Sequence, residues 1–342
     1  MNLHLNTLFV TAERALLHKE HETVVVKIDG EVKAQLPMLH LASVVCFGRA
    51  TVTPDLMAAL AEAGVHVAFL SPTGRFLARV EGLPGGNVLL RRQQYRAADD
   101  PTRTLAIARS MVVGKLSNAR QFLLHARRDA PPDARDTLAA AADRLALFLR
   151  SAPTAETLDA LRGTEGAAAR EYFGAFNALI KRNPETFQFA GRSRRPPLDP
   201  LNALLSFGYV LLMQDCAAAA TGVGLDPAVG YLHEERPGRL ALALDLMEEL
   251  RAPIVDRLVF ALVNRGQMSA TDFVHEPAGG CRLTDDARKR FLVAYQESKR
   301  AELRHPFLEQ DTTYTQVPHL QALLLARTLR GDLPVYPPFA IR

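Results

Sequence analysis

The spacing of hydrophobic and polar residues changes near residue 82. Before it, short apolar runs alternate with turn residues, and Val24, Val25, Val26 and Ile28 lead into Asp29-Gly30, a strong hairpin signal. The pattern predicts strands over residues 24–28, 31–36, 43–47, 65–70 and 75–80. Between two of these strands, residues 54–63 predict a helix that begins at Pro54, with Thr53 able to cap it.

Beyond the Pro-Gly-rich segment 83–87, apolar residues recur at helical spacing to the end of the chain. The predicted helices cover residues 104–127, 135–151, 154–161, 166–181, 201–220, 239–250, 285–302 and 317–330. The sequence therefore predicts an α+β protein. Residues 1–82 form a β-rich domain, residues 83–95 a linker, and residues 96–342 a larger all-helical domain.

Composition supports a folded protein in a reducing compartment. Of 342 residues, 48% are hydrophobic and 23% charged, which excludes disorder over most of the chain. The longest nearly apolar stretch, residues 201–213, is too short to span a bilayer, and the N-terminus does not read as a secretory signal. Cys46, Cys216 and Cys281 lie far apart without a CxxC pair, so we expect a cytoplasmic protein without disulfides or a cysteine zinc site.

The basic residues are clustered. Nine lie between Arg91 and Asp129 against three aspartates, and a second group consists of Lys181, Arg182, Arg192, Arg194 and Arg195. Such clusters are typical of surfaces that bind a polyanion, but they also occur on solvated helix faces. Composition alone leaves both interpretations open.

Acidic residues interrupt the predicted helix 240–250, which is apolar on nearly every side and should be buried. Asp245 and Glu248 are three residues apart and share a face. A buried carboxylate needs a partner, which may be an arginine such as Arg251 or a metal ion. His233 lies just before this helix, and one imidazole with carboxylates suits Mg²⁺ or Mn²⁺ better than structural zinc.

Two further segments carry candidate chemistry. Glu165 lies between two glycines at a predicted helix start, where the local pattern favours an ordinary first-turn glutamate. Three arginines, Arg192, Arg194 and Arg195, precede a proline turn and a helix that carries Asn202 and Ser206. This segment can grip phosphate, or its polar groups can simply satisfy one another. P-loop, GxGxxG, HExxH and GxSxG motifs are absent from the sequence.

The motifs resemble those of the CRISPR-associated spacer-acquisition integrase, the metal-dependent DNA endonuclease subunit of the adaptation complex. The resemblance covers essentially the whole chain. It is carried by GRFLARV at 74–80, RRQQY at 91–95, LRGTEG at 161–166, GRSRRPPLDPLNALLSF at 191–207, GYLHEERPGRLALALDLMEELR at 230–251 and LRGDLPVYPPF at 329–339. The GRSRRPP and YPPF forms resemble the variant found with type I-C systems.

The resemblance implies a β-rich N-terminal domain, a helical catalytic domain and a site for Mg²⁺ or Mn²⁺. By motif, Glu165, His233 and Glu248 are the metal ligands, and Asp245 is a further acid of the site. The resemblance thus reverses the local preference at Glu165. The candidate DNA contacts are Arg91, Arg92, Arg192, Arg194, Arg195 and Arg239.

The family also implies partners and a reaction. We expect a homodimer that joins a small ferredoxin-like acquisition subunit, carries captured double-stranded DNA to the leader–repeat junction, and is assisted in related systems by a RecB-like iron–sulfur nuclease. Insertion is a transesterification in which a 3′-hydroxyl attacks a backbone phosphorus. The competing hypothesis is a metal-free DNA-binding scaffold that positions substrate for a separate nuclease. It explains the basic clusters but not the buried acids.

Overall fold

A computed structural model of the chain describes residues 6–72, 74–80, 82, 88–276 and 279–341. It separates into two compact units, residues 1–87 and 88–342. The break predicted at residues 83–87 lies outside the described residues. The first unit is rich in strands and the second is mostly helical, so the predicted α+β class is confirmed.

Within its described residues, the first unit contains two four-stranded sheets and one α-helix. Its strands are β1 (Asn6–Val10), β2 (Leu16–Glu20), β3 (Thr23–Ile28), β4 (Glu31–Pro37), β5 (Leu41–Phe47), β6 (Thr51–Val52), β7 (His66–Leu70) and β8 (Phe76–Val80). One sheet has the order β1-β5-β7-β8, and the other has the order β4-β3-β2-β6. Helix α1 (Pro54–Glu62) crosses between β6 and β7. Sequence reasoning missed β1, β2 and β6.

Local sequence explains the turns and the core of this unit. Asp29 and Gly30 both have positive φ, which the tight turn between the antiparallel strands β3 and β4 requires. The buried faces of both sheets and of α1 share one core that includes Leu17, Val24 and Leu56. Thr53 precedes α1 as expected, but its side chain makes no capping hydrogen bond.

The second unit holds nine further α-helices within the described residues. They are α2 (Val88–Asp99), α3 (Pro101–Arg128), α4 (Pro132–Ser151), α5 (Leu158–Gly174), α6 (Pro200–Gly222), α7 (Ala241–Glu248), α8 (Arg257–Asn264), α9 (Asp285–Lys299) and α10 (Val317–Arg330). Two short antiparallel ribbons, β9–β10 (Phe273–His275 with Cys281–Leu283) and β11–β12 (Glu302–Arg304 with Asp311–Thr313), correct the expectation of an all-helical domain.

Two predicted boundaries were wrong. Residues 88–95, expected to be linker, lie in α2, whose apolar Leu90 and Ala97 are buried. Helix α5 is continuous through Gly163 and Gly166, so Glu165 lies in its middle and not at a helix start. The pair of glycines suggested a break, but glycine inside a helix is a tolerated cost when its neighbours pack. Thr157 is the actual N-cap and accepts a hydrogen bond from the Ala160 amide at 3.2 Å.

Helix α6 forms the interior of the second unit. Asp199 caps it by accepting a hydrogen bond from the Asn202 amide at 2.7 Å, and Pro200 occupies its first turn. It is long and apolar enough to cross a membrane by length and composition, but 67% of the relevant window is buried within the protein. The helix is therefore explained as a core helix, longer than the 13-residue apolar stretch visible in the sequence.

Candidate active site

The site is built where α3, α5 and α7 meet the loop before α7. Asp245 on α7 is fully buried and holds this loop in place through hydrogen bonds. It accepts hydrogen bonds from the amides of Tyr231, Leu232 and His233 at 2.6, 3.0 and 3.0 Å. Gly230 is needed here, because a Cβ atom would come within 2.7 Å of Asp245 Oδ2. Thus a buried acid determines the path of the loop that carries the histidine.

Asp245 also fixes the ring of His233. Its Oδ1 lies 2.7 Å from His233 Nδ1, and since a carboxylate only accepts, Nδ1 carries the proton. The other ring nitrogen, Nε2, lies 3.7 Å from Oε1 of Glu248. The sequence indicated Asp245 only as a further acid of the site, and this geometry gives it the role of orienting His233.

Glu248 is buried among cations. Its side chain is 3% exposed, and its oxygens lie 2.9 Å from Arg251 and 2.7 Å from Lys115 Nζ. Burial opposes the charged form, but Arg251, Lys115 and His233 outweigh it and lower the pKa of Glu248 to about 2. Glu248 is therefore a carboxylate at neutral pH. The expectation that Arg251 can pair with it is confirmed.

Glu165 reaches the same place from α5. Its Oε1 forms an ion pair with Lys115, whose ammonium thus contacts carboxylates on two different helices. Glu165 is the more open of the two, with 25% of its side chain exposed. The structure therefore brings Glu165, His233, Asp245 and Glu248 together, although 83 residues separate the first from the last (248 − 165).

Lys115 is the residue that sequence reasoning missed. It was counted in a basic cluster on α3, but it lies four residues after Met111 and four before Ala119, both of which are buried. A lysine within the buried stripe of a helix was the available signal, since a buried ammonium needs an anionic partner.

The donor set fits a divalent ion. Two carboxylates and one imidazole are ordinary ligands for Mg²⁺ or Mn²⁺. Among the described residues, Glu248 Oε2 accepts no well-directed hydrogen bond, although Lys115 Nζ is near it. Across all the residues that the structure describes, no three His, Cys, Asp or Glu side chains are close enough together to hold a metal ion. The three-ligand site therefore stays a prediction.

A second buried network supports the site from behind. Asp256 accepts hydrogen bonds from Tyr172 at 2.7 Å and Tyr209 at 2.6 Å. Arg251 lies over the ring of Tyr209, with 5.1 Å between the guanidinium carbon and the ring centroid. Burial raises the pKa of Asp256 to about 6, against the effect of the two tyrosine hydrogen bonds. The network holds Arg251 where it can pair with Glu248.

The six arginines proposed to bind DNA have different environments. Arg192 is half-buried and donates to Asn202 at 2.7 Å and Ser206 at 2.9 Å, so these polar groups satisfy one another. Arg91 donates to the Gly224 carbonyl at 3.3 Å, and Arg239 donates to the Glu234 carbonyl at 3.1 Å. The remaining three, Arg92, Arg194 and Arg195, are exposed.

The fold and the site together define an α+β protein whose helical unit holds a buried cluster of acids and histidine. The chain belongs to the Cas1 family: the family model described as CRISPR associated protein Cas1 matches residues 8–297. This agrees with the resemblance seen in the motifs.

Similar proteins span the whole chain. A CRISPR-associated endonuclease Cas1 of Rhodospirillum rubrum is 53% identical over 340 residues, 98% of each chain. One from Moorella thermoacetica is 48% identical over 343 residues, covering both chains completely. A Cas4 exonuclease/Cas1 endonuclease fusion of Geobacter sulfurreducens is 36% identical over 340 residues, 98% of this chain and 60% of that protein.

Two solved structures share the fold. A Cas1 protein from Thermotoga maritima has a TM-score of 0.82 and 23% identity, covering 98% of this chain and 100% of the other. A chain of a Cas6-RT-Cas1–Cas2 complex has a TM-score of 0.83 and 26% identity, covering 99% of this chain and 36% of the other.

Proposed function

We propose that this protein is a metal-dependent DNA endonuclease and integrase that inserts captured DNA as spacers into a CRISPR array. The observation that carries the proposal is that Lys115 pairs with both Glu165 and Glu248, while Nε2 of His233 lies 3.7 Å from Oε1 of Glu248. The name of the full-length relatives, CRISPR-associated endonuclease, supports the reaction class.

Glu165, His233 and Glu248 would hold Mg²⁺ or Mn²⁺. A bound divalent ion supplies Lewis-acid chemistry, polarising a phosphoryl oxygen and favouring deprotonation of the attacking hydroxyl. Asp245 keeps His233 in the tautomer that leaves Nε2 free as a ligand. Arg251 keeps Glu248 ionised, so that residue can act as a ligand without first losing a proton.

The reaction exchanges one phosphodiester for another. The 3′-hydroxyl of the captured DNA attacks a backbone phosphorus, and a 3′-oxygen of the repeat leaves; with water as nucleophile, the same site cleaves DNA. The basic residues would bind DNA phosphates at some distance from the reacting bond. Of the six proposed arginines, Arg92, Arg194 and Arg195 are exposed and therefore accessible to DNA. The GRSRRPP and YPPF segments favour a type I-C-like variant.

Partners follow the same proposal. The Cas1–Cas2 complex among the solved structures supports association with a small ferredoxin-like acquisition subunit. The Cas4 fusion supports a nuclease partner, for which we propose a RecB-like iron–sulfur nuclease. We place the protein in the cytoplasm, where it would meet the CRISPR array.

A homodimer formed through the residues before Leu83 completes the proposal. Val32, Leu39 and Leu77 of the first unit expose large apolar side chains, and in the described part of this unit the outermost strands each have one edge without a strand partner. Light scattering should give about twice 37.5 kDa, and removal of residues 1–84 should abolish this association. A full-length monomer at micromolar concentration would contradict the dimer.

An assay on branched DNA distinguishes the enzyme hypothesis from the scaffold hypothesis. The purified chain should cleave this DNA and join strands in Mg²⁺ or Mn²⁺ but not in chelator. Binding without metal-dependent cleavage or joining would instead identify the metal-free scaffold.

A further inference from the structure

One ammonium connects the two halves of the proposed metal site. Lys115 Nζ lies 2.7 Å from Oε2 of Glu248 on α7 and forms an ion pair with Oε1 of Glu165 on α5. Only 13% of the lysine side chain is exposed, so these ion pairs are shielded from solvent. Their electrostatic energy is accordingly larger than that of a surface ion pair.

The two carboxylates depend on this cation to different degrees. Glu248 has a second partner in Arg251, whereas Glu165 has Lys115 as its one ion-pair partner among the described residues. Without Lys115, the negative charges of Glu165 and Glu248 would face each other without a shared counter-charge. Two carboxylates in one buried place repel, and this repulsion would separate α5 from α7 or protonate one of them.

A divalent ion would need the same carboxylates. An ammonium carries no lone pair and cannot be a metal ligand, and its charge repels a divalent cation placed among the same oxygens. The oxygen nearest to Lys115, Oε2 of Glu248, is also the buried one that accepts no well-directed hydrogen bond within the described chain.

We propose that Lys115 is an internal counter-cation that holds the site together without metal and is displaced from Glu165 and Glu248 when a divalent ion binds. This inference rests on the proposed function of the site. It makes Lys115 a positioning residue whose ion pairs set how tightly the metal-free protein binds the ion.

The structure has space for the displaced group. A cavity of about 20 Å³ lies beside the site, and its lining includes Lys115, Glu248, Arg251 and Asp256. This volume is large enough for one water-sized group, and an ammonium is of that size. Asp256 offers a carboxylate on its wall. The cavity therefore gives the displaced ammonium a place within the protein interior, although Glu248 also lines it.

The test measures Mn²⁺ affinity in the absence of DNA, by electron paramagnetic resonance of the free ion. The full-length wild type is compared with Lys115→Met and Lys115→Gln. Lys289→Met is the matched control, since Lys289 lies exposed on α9. Both Lys115 variants should bind Mn²⁺ about tenfold more tightly or better, because the competing charge is gone. Unchanged or weaker binding would overturn the proposal, and the control should match the wild type.

Stability in chelator tests the other half of the proposal. Lys115→Met should lower the urea midpoint of unfolding. Adding Mn²⁺ should raise that midpoint by more in this variant than in the wild type. In a Glu165→Gln background, where the repulsion is already reduced, the same change should cost much less. This background also keeps the test available if Lys115→Met alone does not fold. An equal loss in both backgrounds would show that the lysine only packs.

Failure of the proposed function would look different. If the wild type binds no Mn²⁺, or if Glu165→Gln and His233→Ala leave Mn²⁺ affinity unchanged, the metal site itself is wrong. If those two variants weaken binding while Lys115→Met does not strengthen it, the metal site stands and the counter-cation is refuted.

Discussion

Two neighbouring glutamates at the end of α7 show opposite electrostatics. Glu248 faces Lys115 and Arg251, and its pKa is lowered to about 2. Glu249 points the other way, where Tyr336, Gln321 and the Phe339 amide donate to it. Burial raises the pKa of Glu249 to about 8, because these neutral donors only partly offset the cost of a buried charge.

The comparison shows that burial alone does not identify a functional acid. Both side chains are almost inaccessible, and both interrupt an apolar helix. Only the face with cations keeps a carboxylate charged at neutral pH, which a metal ligand requires. The other face is structural: Glu249 and Asn118 tie the segment after α10 to α3, with Asn118 donating to the Phe339 carbonyl at 2.6 Å.

The largest expected effect comes from the same change made at each of the two positions. Glu248→Gln should lower metal-dependent cleavage and strand transfer on the order of a thousandfold, because it removes a charged ligand at nearly constant shape. Glu249→Gln should leave activity within about threefold, since near pH 7 that residue is mostly protonated already. Steady-state assays on branched DNA check both, with urea unfolding as a control for folding. Equal losses would abolish the distinction between the two faces.

Positioning of His233 should give the next largest effect. His233→Ala should lower activity about as much as Glu248→Gln does, whereas Asp245→Asn keeps a side chain of the same size and loses the charge that orients the ring. We expect a loss of about 10- to 100-fold for Asp245→Asn. Mn²⁺ affinity should fall in parallel. Wild-type activity in this variant would contradict the assigned role.

Much of this architecture was predictable because it depends on local pattern. The Asp29-Gly30 hairpin, the buried strands β5 and β7 and the long helix α6 all follow from runs of apolar residues and turn signals. Strands with little buried apolar sequence were missed, because β6 has two residues and β2 buries only Leu17 of its five. Two residues carry no strand periodicity that a sequence can reveal.

The site was predictable only in part. Asp245, Glu248 and His233 lie within sixteen residues of each other (248 − 233 + 1), so one segment indicated them. Glu165 needed the family resemblance, since its own helix gives no reason to place it opposite α7. The buried stripe of α3 signalled that Lys115 needs an anionic partner, but its two partners could not be predicted, because they lie on two other helices.

A third buried acid, Asp256, allows the effect of burial on an acid to be tested through the pH dependence of stability. Its pKa is raised by burial to about 6, from an ordinary value of about 3.9 in an unfolded chain. The folded protein therefore binds this proton more tightly, so its stabilising effect is full below about pH 4 and is lost as pH rises to 6. Asp256→Asn should remove about 2–3 kcal/mol of that pH dependence. Urea unfolding at pH 4, 5, 6 and 7 measures it, and parallel pH curves for both proteins would contradict the raised pKa.

The smallest expected effect concerns arginines, where a side chain bonded within the protein is compared with two exposed ones. Arg192 is held by Asn202 and Ser206 and lies over Tyr209, whereas Arg194 and Arg195 are exposed in the same loop. If the loop contacts DNA, exposed guanidiniums should release counterions from phosphates, and the built-in one should mainly support the loop. Replacing Arg194 and Arg195 together by alanine should weaken binding several-fold at low salt and reduce the salt slope by about 2. Arg192→Ala should instead lower stability by about 1–2 kcal/mol with little change in slope.

Fluorescence anisotropy across a salt series distinguishes the two variants. A reduced slope for Arg192→Ala alone would reverse these roles, because a side chain already bonded inside the protein would then be the phosphate contact.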